Sequence, residues 1–351
     1  MSDYFERVER QIVHRVEGGI PRSSRLPSAG GYLAVVAAVL VVIVVAGVIL
    51  LARGAGAGNP SPAARPAVRL VFTAPGSPSP TALEHTVQIL RLRLRSVVPG
   101  AQVSLAGQRI LVQARSAPPG ARSEILILAA PGQLAFYDWE ADAIAPNGKT
   151  VASQLRTGAP AALEISQGNG AAAPGEPGAG ALPMRRAVAV LGKLASSGRR
   201  LVLVQAAVTD LRVPPTRGAA NDRFYVLRAV PALSGADVEN PRVSTDRNTG
   251  SPDVTFDFTA AGRRAFQAIT AALARRGDLL SRSGETLNQH FAIALDDKLI
   301  SVPYIDFRQY PDGITAENAV DIGARFSRQS AQTLATLLRY GPLPLKLTAT
   351  G

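Results

Sequence analysis

Residues 81–100 read "TALEHTVQILRLRLRSVVPG", and their spacing decides the fold of the segment around them. Thr81 with Glu84 has the form of a capping box. Leu83, Val87, Leu90, Leu94 and Val97 recur at three- and four-residue steps, which places them on one face of a helix. Gly100 supplies the stop. Working outward, "VRLVF" (68–72) precedes this helix as a short strand, and "QVSL" (102–105) and "RILVQ" (109–113) follow it as strands joined by a turn at 106–108. "ARSEILILAAPG" (121–132) predicts a second helix, and "QLAFYDW" (133–139) a last strand. The order β-α-β-β-α-β is that of a ferredoxin-like sheet with both helices on one face. This base is expected to occupy residues 68–140.

Upstream, residues 32–52, "YLAVVAAVLVVIVVAGVILLA", carry no charge over 21 positions. At ~1.5 Å per residue such a helix is roughly 30 Å long, the thickness of a bilayer core. It is read as a single transmembrane helix. The competing reading, a cleaved signal peptide, fits less well because a leader of 31 residues precedes the apolar run. That leader, 1–31, holds Arg7, Arg10, Arg15, Arg22 and Arg25, whereas only Arg53 follows the run closely. The bias puts the N-terminus in the cytoplasm and the rest outside it, at the plasma membrane, with the lipid bilayer as first partner. Residues 53–67, "RGAGAGNPSPAARPA", read as a tether.

Downstream, 141–223 is an insertion with a low-complexity stretch, "GNGAAAPGEPGAGALP" (168–183), read as a loop, and a strand within 199–211. Patterning returns from 224 to 340. There is a strand at 223–230, and two strands lie around a turn at 248–250. A helix capped by Thr259 is read as stopping at Gly277, and a final helix starts from Ser327. Between these helices "FAIALDDKLISVPYI" (291–305) reads as a hairpin whose tip, Asp296 and Asp297, is solvated. The overall expectation is an α+β protein: one N-terminal transmembrane helix, a ferredoxin-like base and an α+β head subdomain.

Composition narrows the function classes. The 351 residues carry a formal charge of +12, which invites a phosphate-binding reading. Yet only Lys149, Lys193, Lys298 and Lys346 are lysines, and the arginines stand singly or in pairs, so no specific nucleic-acid partner is expected. There is no cysteine, hence no disulfide, thiolate metal site or cysteine nucleophile. His14, His85 and His290 are isolated and form no metal-ligand pair. Asp138 and Glu140 are two apart and share a strand face, an arrangement that can serve acid–base chemistry, but at a strand end they read as solvated. No catalytic residue, cofactor or metal is assigned.

Several of these stretches together resemble the first large extracytoplasmic domain of SecD, the auxiliary membrane subunit of the protein-export machinery. They are "ALEHTVQILRLRLRSV", "QRILVQ", "GQLAFYDW", "LSGADV", "VTFDFTAAGRRAFQAIT", "FAIALDDKLISVPYI", "DIGARFS" and "AQTLATLLRYGPLPLKL", in that order. The resemblance implies that the base sheet is completed by a strand at 343–348. It also implies a domain on the trans side of the membrane that holds an emerging preprotein while the membrane part passes protons. Sec translocase subunits and unfolded secretory polypeptides are the partners it implies. SecD continues into five further membrane helices and this sequence ends at Gly351, so no proton-conducting bundle is expected from the chain itself. Pro303 makes its segment a poor central strand and hence an edge or bulge. The residues expected to meet an extended polypeptide there are Phe291, Ile293, Ile300, Val302 and Tyr304, with Ser301 and Pro303 structural. The same scaffold used to bind anionic lipid or wall polymer is the alternative.

Overall fold

A computed structural model describes residues 67–115, 117–171, 178–195, 200–206, 222–247, 250–281, 286–317, 320–322 and 326–350. The leader, the expected transmembrane helix and nearly all of the tether lie outside the described residues. Among the described residues no helix is long and apolar enough to cross a membrane.

The first sheet is built on β1 (Val68–Thr73), β2 (Ala101–Ala106) and β3 (Arg109–Ala114), with α1 (Pro80–Val97) between the first two. Leu83, Val87, Leu90 and Leu94 are buried, as the spacing predicts, against Leu70, Phe72, Ile110 and Val112. The helix begins earlier than the capping box implies. Ser79 is the N-cap, accepting from the Ala82 amide, because Pro80 fits the first helical position, where its missing N–H costs nothing. The sheet order is β16-β1-β3-β2, all antiparallel, and the fourth strand is β16 (Thr348–Thr350) from the end of the chain.

The C-terminal strand expected at 343–348 is thus confined to 348–350, and β4 (Leu134–Asp138), expected in the same sheet, lies elsewhere. It pairs with β12 (Gln289–Leu295), Phe291 facing Asp138 and Leu295 facing Leu134. The reason is burial. Leu134, Phe136 and Tyr137 cover both faces of β4 and suit a strand enclosed on both sides, whereas Thr348–Thr350 is exposed throughout and suits an edge.

The larger sheet runs β5-β8-β7-β13-β12-β4-β9. Its members are β5 (Ala143–Ile144), β7 (Leu201–Gln205), β8 (Arg223–Arg228), β9 (Leu233–Ser234) and β13 (Lys298–Ser301); β6 (Leu182–Pro183) and β14 (Tyr304–Ile305) attach to β8 and β12. A third sheet joins β10 (Val238–Thr245), β11 (Pro252–Phe258) and β15 (Val320–Ile322). The final helix, α8 (Arg328–Tyr340), is capped by Ser327 and packs on this sheet and on α1, with α2 (Ala121–Leu128) beside it.

The insertion is structured where it is described. α3 (Trp139–Asp142) follows β4 directly, and α4 (Val151–Leu155), α5 (Pro160–Ala171) and α6 (Met184–Ala195) are its helices. α5 runs into the stretch read as a loop, as far as Ala171. Val151, Leu155, Ile165, Trp139 and Tyr225 form a second core. The head helix α7 (Ala260–Leu280) is capped by Thr259 but does not stop at Gly277. A Cβ there would sit 3.1 Å from Phe307 and 3.2 Å from the Leu287 carbonyl, so this glycine permits a close approach inside the helix rather than ending it.

Candidate functional site

β4 ends by turning directly into a helix, and that turn carries three acids. Asp138 is the N-cap of α3, its carboxylate accepting from the Ala141 amide at 3.0 Å. Glu140 then points inward and is fully buried, and Asp142 is 6% exposed. The expectation that Asp138 and Glu140 stay solvated is therefore corrected. The helical turn replaces the strand geometry on which that reading rested, and α7 and β12 close over it.

The opposing charge comes from α7. Arg276 reaches Asp138 with both terminal nitrogens, at 2.9 and 2.5 Å, in the bidentate geometry that makes arginine–carboxylate pairs strong. One of those nitrogens also lies 3.5 Å from Glu140 Oε2, and its Nε donates to Gln289 Oε1 at 2.7 Å. Glu140 collects the rest: the His290 amide donates to Oε2 at 3.0 Å, His290 Nδ1 lies 2.6 Å from Oε1, and Ser166 Oγ donates to Oε1 at 2.8 Å. Burial alone would push the Glu140 carboxyl up. His290 and then Arg276 outweigh it and hold the group below the usual carboxylate range. With donors on both oxygens, Glu140 ties α3 to β12, α7 and α5. The insertion is thus joined to the head through Ser166.

Asp142 is the weak member. It accepts from the Asp138 amide at 3.0 Å and pairs with Arg228 at 2.8 Å, but burial prevails and pushes its carboxyl up to about 6. A carboxylate whose folded pKa is raised above its ordinary 3.8 penalises the folded state when ionised, and that penalty is relieved as pH falls through the folded value. Between pH 7 and pH 5 the protein should gain about 1 kcal/mol relative to an Asp142→Asn variant. Chemical denaturation of both at the two pH values measures it, and equal pH dependence would refute the assignment. Glu140, held low, loses its contribution only at more acid pH.

A second polar knot lies at the hairpin tip. Asp296 and Asp297 both adopt positive φ, as a two-residue hairpin turn requires. Asp296 is not a solvated tip residue. Its carboxylate accepts from the Gly132 and Gln133 amides at 3.0 and 2.8 Å, and burial raises its pKa despite those bonds and the nearby Arg93 and Lys298. Arg93 sits on the α1 face that carries Leu90 and Leu94. Its guanidinium donates to the carbonyls of Leu128, Ala130, Pro131 and Gly341, joining the ends of α2 and α8.

The hairpin residues divide into two groups. Phe291 and Ile293, expected at a polypeptide-contacting surface, are 2% and 4% exposed; Phe291 packs edge-on against Phe266 at 5.6 Å. Both edges of β12 are taken, by β4 on one side and by β13 and β14 on the other, so the two residues are core. Ile300, Val302 and Tyr304 are half-buried. Among the described residues, β13 meets β7 at the Lys298–Gln205 bridge, and no pairing is described for Leu299–Ser301 on that side. Pro303, whose carbonyl accepts from the Phe291 amide, stands where the chain steps from β13 to β14. His85 is exposed on α1, His14 lies outside the described residues, and no group of three or more His, Asp or Glu that could hold a metal occurs among the described residues.

Residues 211–345 match the family model of the SecDF P1 head subdomain. Over these residues the chain is similar to the P1 head subdomain of SecDF. Among curated proteins it is similar to the protein translocase subunit SecD of Rhodobacter capsulatus, 36% identical over 125 residues, which are 36% of this chain and 19% of that protein. It is also similar to SecD of Streptomyces coelicolor, 33% identical over 122 residues, 34% of this chain and 19% of that protein. The chain spans about a fifth of the length of these relatives. A crystal structure of SecDF in a super-membrane-facing form aligns over 89% of this chain and 34% of its own, at 20% identity and a TM-score of 0.48. The P1-head match holds Arg276, Gln289 and His290, whereas Asp138, Glu140 and Ser166 lie before it.

Proposed function

We propose that this chain is a membrane-anchored, extracytoplasmic component of protein export that contacts translocating polypeptide or the translocase. The observation that supports the reading is the match of residues 211–345 to the P1 head of SecDF. The anchor is the apolar run at 32–52, with the N-terminus in the cytoplasm. Polypeptide contact falls on Ile300, Val302 and Tyr304, along the outer edge of β13 and the step into β14, where an extended chain can add as a further strand. Phe291 and Ile293 support that edge from beneath. The buried network at Glu140 fixes β12, and so fixes the edge laid against it.

Deleting the gene should slow the appearance of secreted proteins outside the cell in a pulse-chase experiment. Unchanged export kinetics would remove the proposal. A second reading, a module that binds an anionic envelope surface, is favoured by charge placement: residues 182–228 hold nine of the basic residues and only Asp210 and Asp222 as acids.

A further inference from the structure

The cationic part of the insertion is carried by a built element. α6 lies on β6, β7 and β8 through Ala187, which is buried, with Met184, Val190 and Leu194 packed on the core of Ile144, Leu182, Phe224 and Val226. Its other side is exposed and carries Arg185, Arg186, Val188, Ala189, Gly192, Lys193 and Ala195. Val188 is 49% exposed although it is apolar. No acid occurs from residue 177 to 209. The two arginines also occupy the first turn of α6, where the helix dipole disfavours cations and where no acid balances them. An external anion at this end would offset that cost.

We propose that the outer face of α6 docks in the plane of an anionic phospholipid surface. The arginines meet headgroup phosphates and Val188 enters the boundary beneath them, while Ala189 and Gly192 let the backbone approach. A soluble polyanion would engage the arginines but has no use for an exposed valine one turn from Arg185, which is why lipid is the occupant favoured. The inference goes beyond the export reading and stands whether or not the chain acts in export.

The chain has no cysteine, so Val188→Cys in the full chain gives a single labelling site for an environment-sensitive fluorophore. The labelled protein is placed in nanodiscs of phosphatidylcholine alone or mixed with phosphatidylglycerol. Docking predicts blue-shifted emission only with phosphatidylglycerol, reversed by about 0.5 M NaCl, at which charges on a surface are screened within a few ångströms. Arg185→Gln with Arg186→Gln should lower the docked-to-undocked ratio about 30-fold, at roughly a factor of five per cation near an anionic surface. Identical emission in both lipids overturns the inference, and so does a shift produced equally by polyphosphate in phosphatidylcholine discs.

Discussion

Arg276→Ala is expected to destabilise the protein by about 3–5 kcal/mol, the range for removing one partner from a buried charged pair. The loss is larger than the pair's own worth. Asp138 and the fully buried Glu140 would remain charged without the guanidinium that faces both. The neighbouring Arg275 is exposed, and Arg275→Ala should fall within about 0.5 kcal/mol of the parent. The readout is built in, because the chain has one tryptophan, Trp139, buried between Asp138 and Glu140 in sequence. Its fluorescence in denaturant titrations reports unfolding at the network. If Arg276→Ala and Arg275→Ala cost the same, the network is not the fastening described. Combining Arg276→Met with Asp138→Asn and Glu140→Gln should recover part of the loss, since neutral groups no longer demand the cation.

The second large effect is expected at Arg93. Arg93→Ala orphans acceptors at Leu128, Ala130, Pro131 and Gly341 in one step, and each buried unsatisfied carbonyl costs on the order of 1–3 kcal/mol where water cannot reach it. A total of about 3–5 kcal/mol is expected, because the loops at Ala130 and Gly341 can relax toward solvent. Arg93→Lys should restore no more than about half, as a single ammonium cannot span the four carbonyls that a planar fork reaches. Burial lowers the Arg93 pKa to about 10, so the cation persists throughout the neutral range. Denaturant titration of both variants tests this, and full recovery by lysine would show that charge rather than the fork holds the joint.

What the sequence could reveal followed from periodicity. The apolar stripe of α1, the hairpin at 289–301 with its Asp-Asp turn and the caps at Thr259 and Ser327 are local, and local chemistry specifies them. Other placements are decided by segments distant in sequence. Order in a β-α-β-β-α-β run places β4 in the base sheet, yet its partners come from far along the chain, with Leu233 facing Phe136 on one side and Phe291 facing Asp138 on the other, while β16 takes the edge beside β1. Phe291 and Ile293 alternate with alanines in a way that fits an exposed edge or an enclosed strand equally well. Only the pairing of β4 and β13 on either side distinguishes them.

The candidate site was half legible. Asp138 and Glu140 stood out, but their burial depends on Arg276 from α7 and His290 from β12. Arg276 is one of a pair of adjacent arginines, and spacing within α7 gave the only clue: it falls three residues after Leu273, on the apolar stripe, while Arg275 does not. Arg93 carried the same signal, three residues after the buried Leu90. A charged residue on an apolar helical stripe is the pattern that would have found both.

The most direct test of the central claim is site-specific photocrosslinking in intact membranes from probes at Ile300, Val302 and Tyr304, with Phe291 as the buried control. Adducts with secretory polypeptides in transit or with translocase subunits are expected from Ile300, Val302 and Tyr304 and not from Phe291. Edge probes that capture neither, while secretion is running, would contradict it.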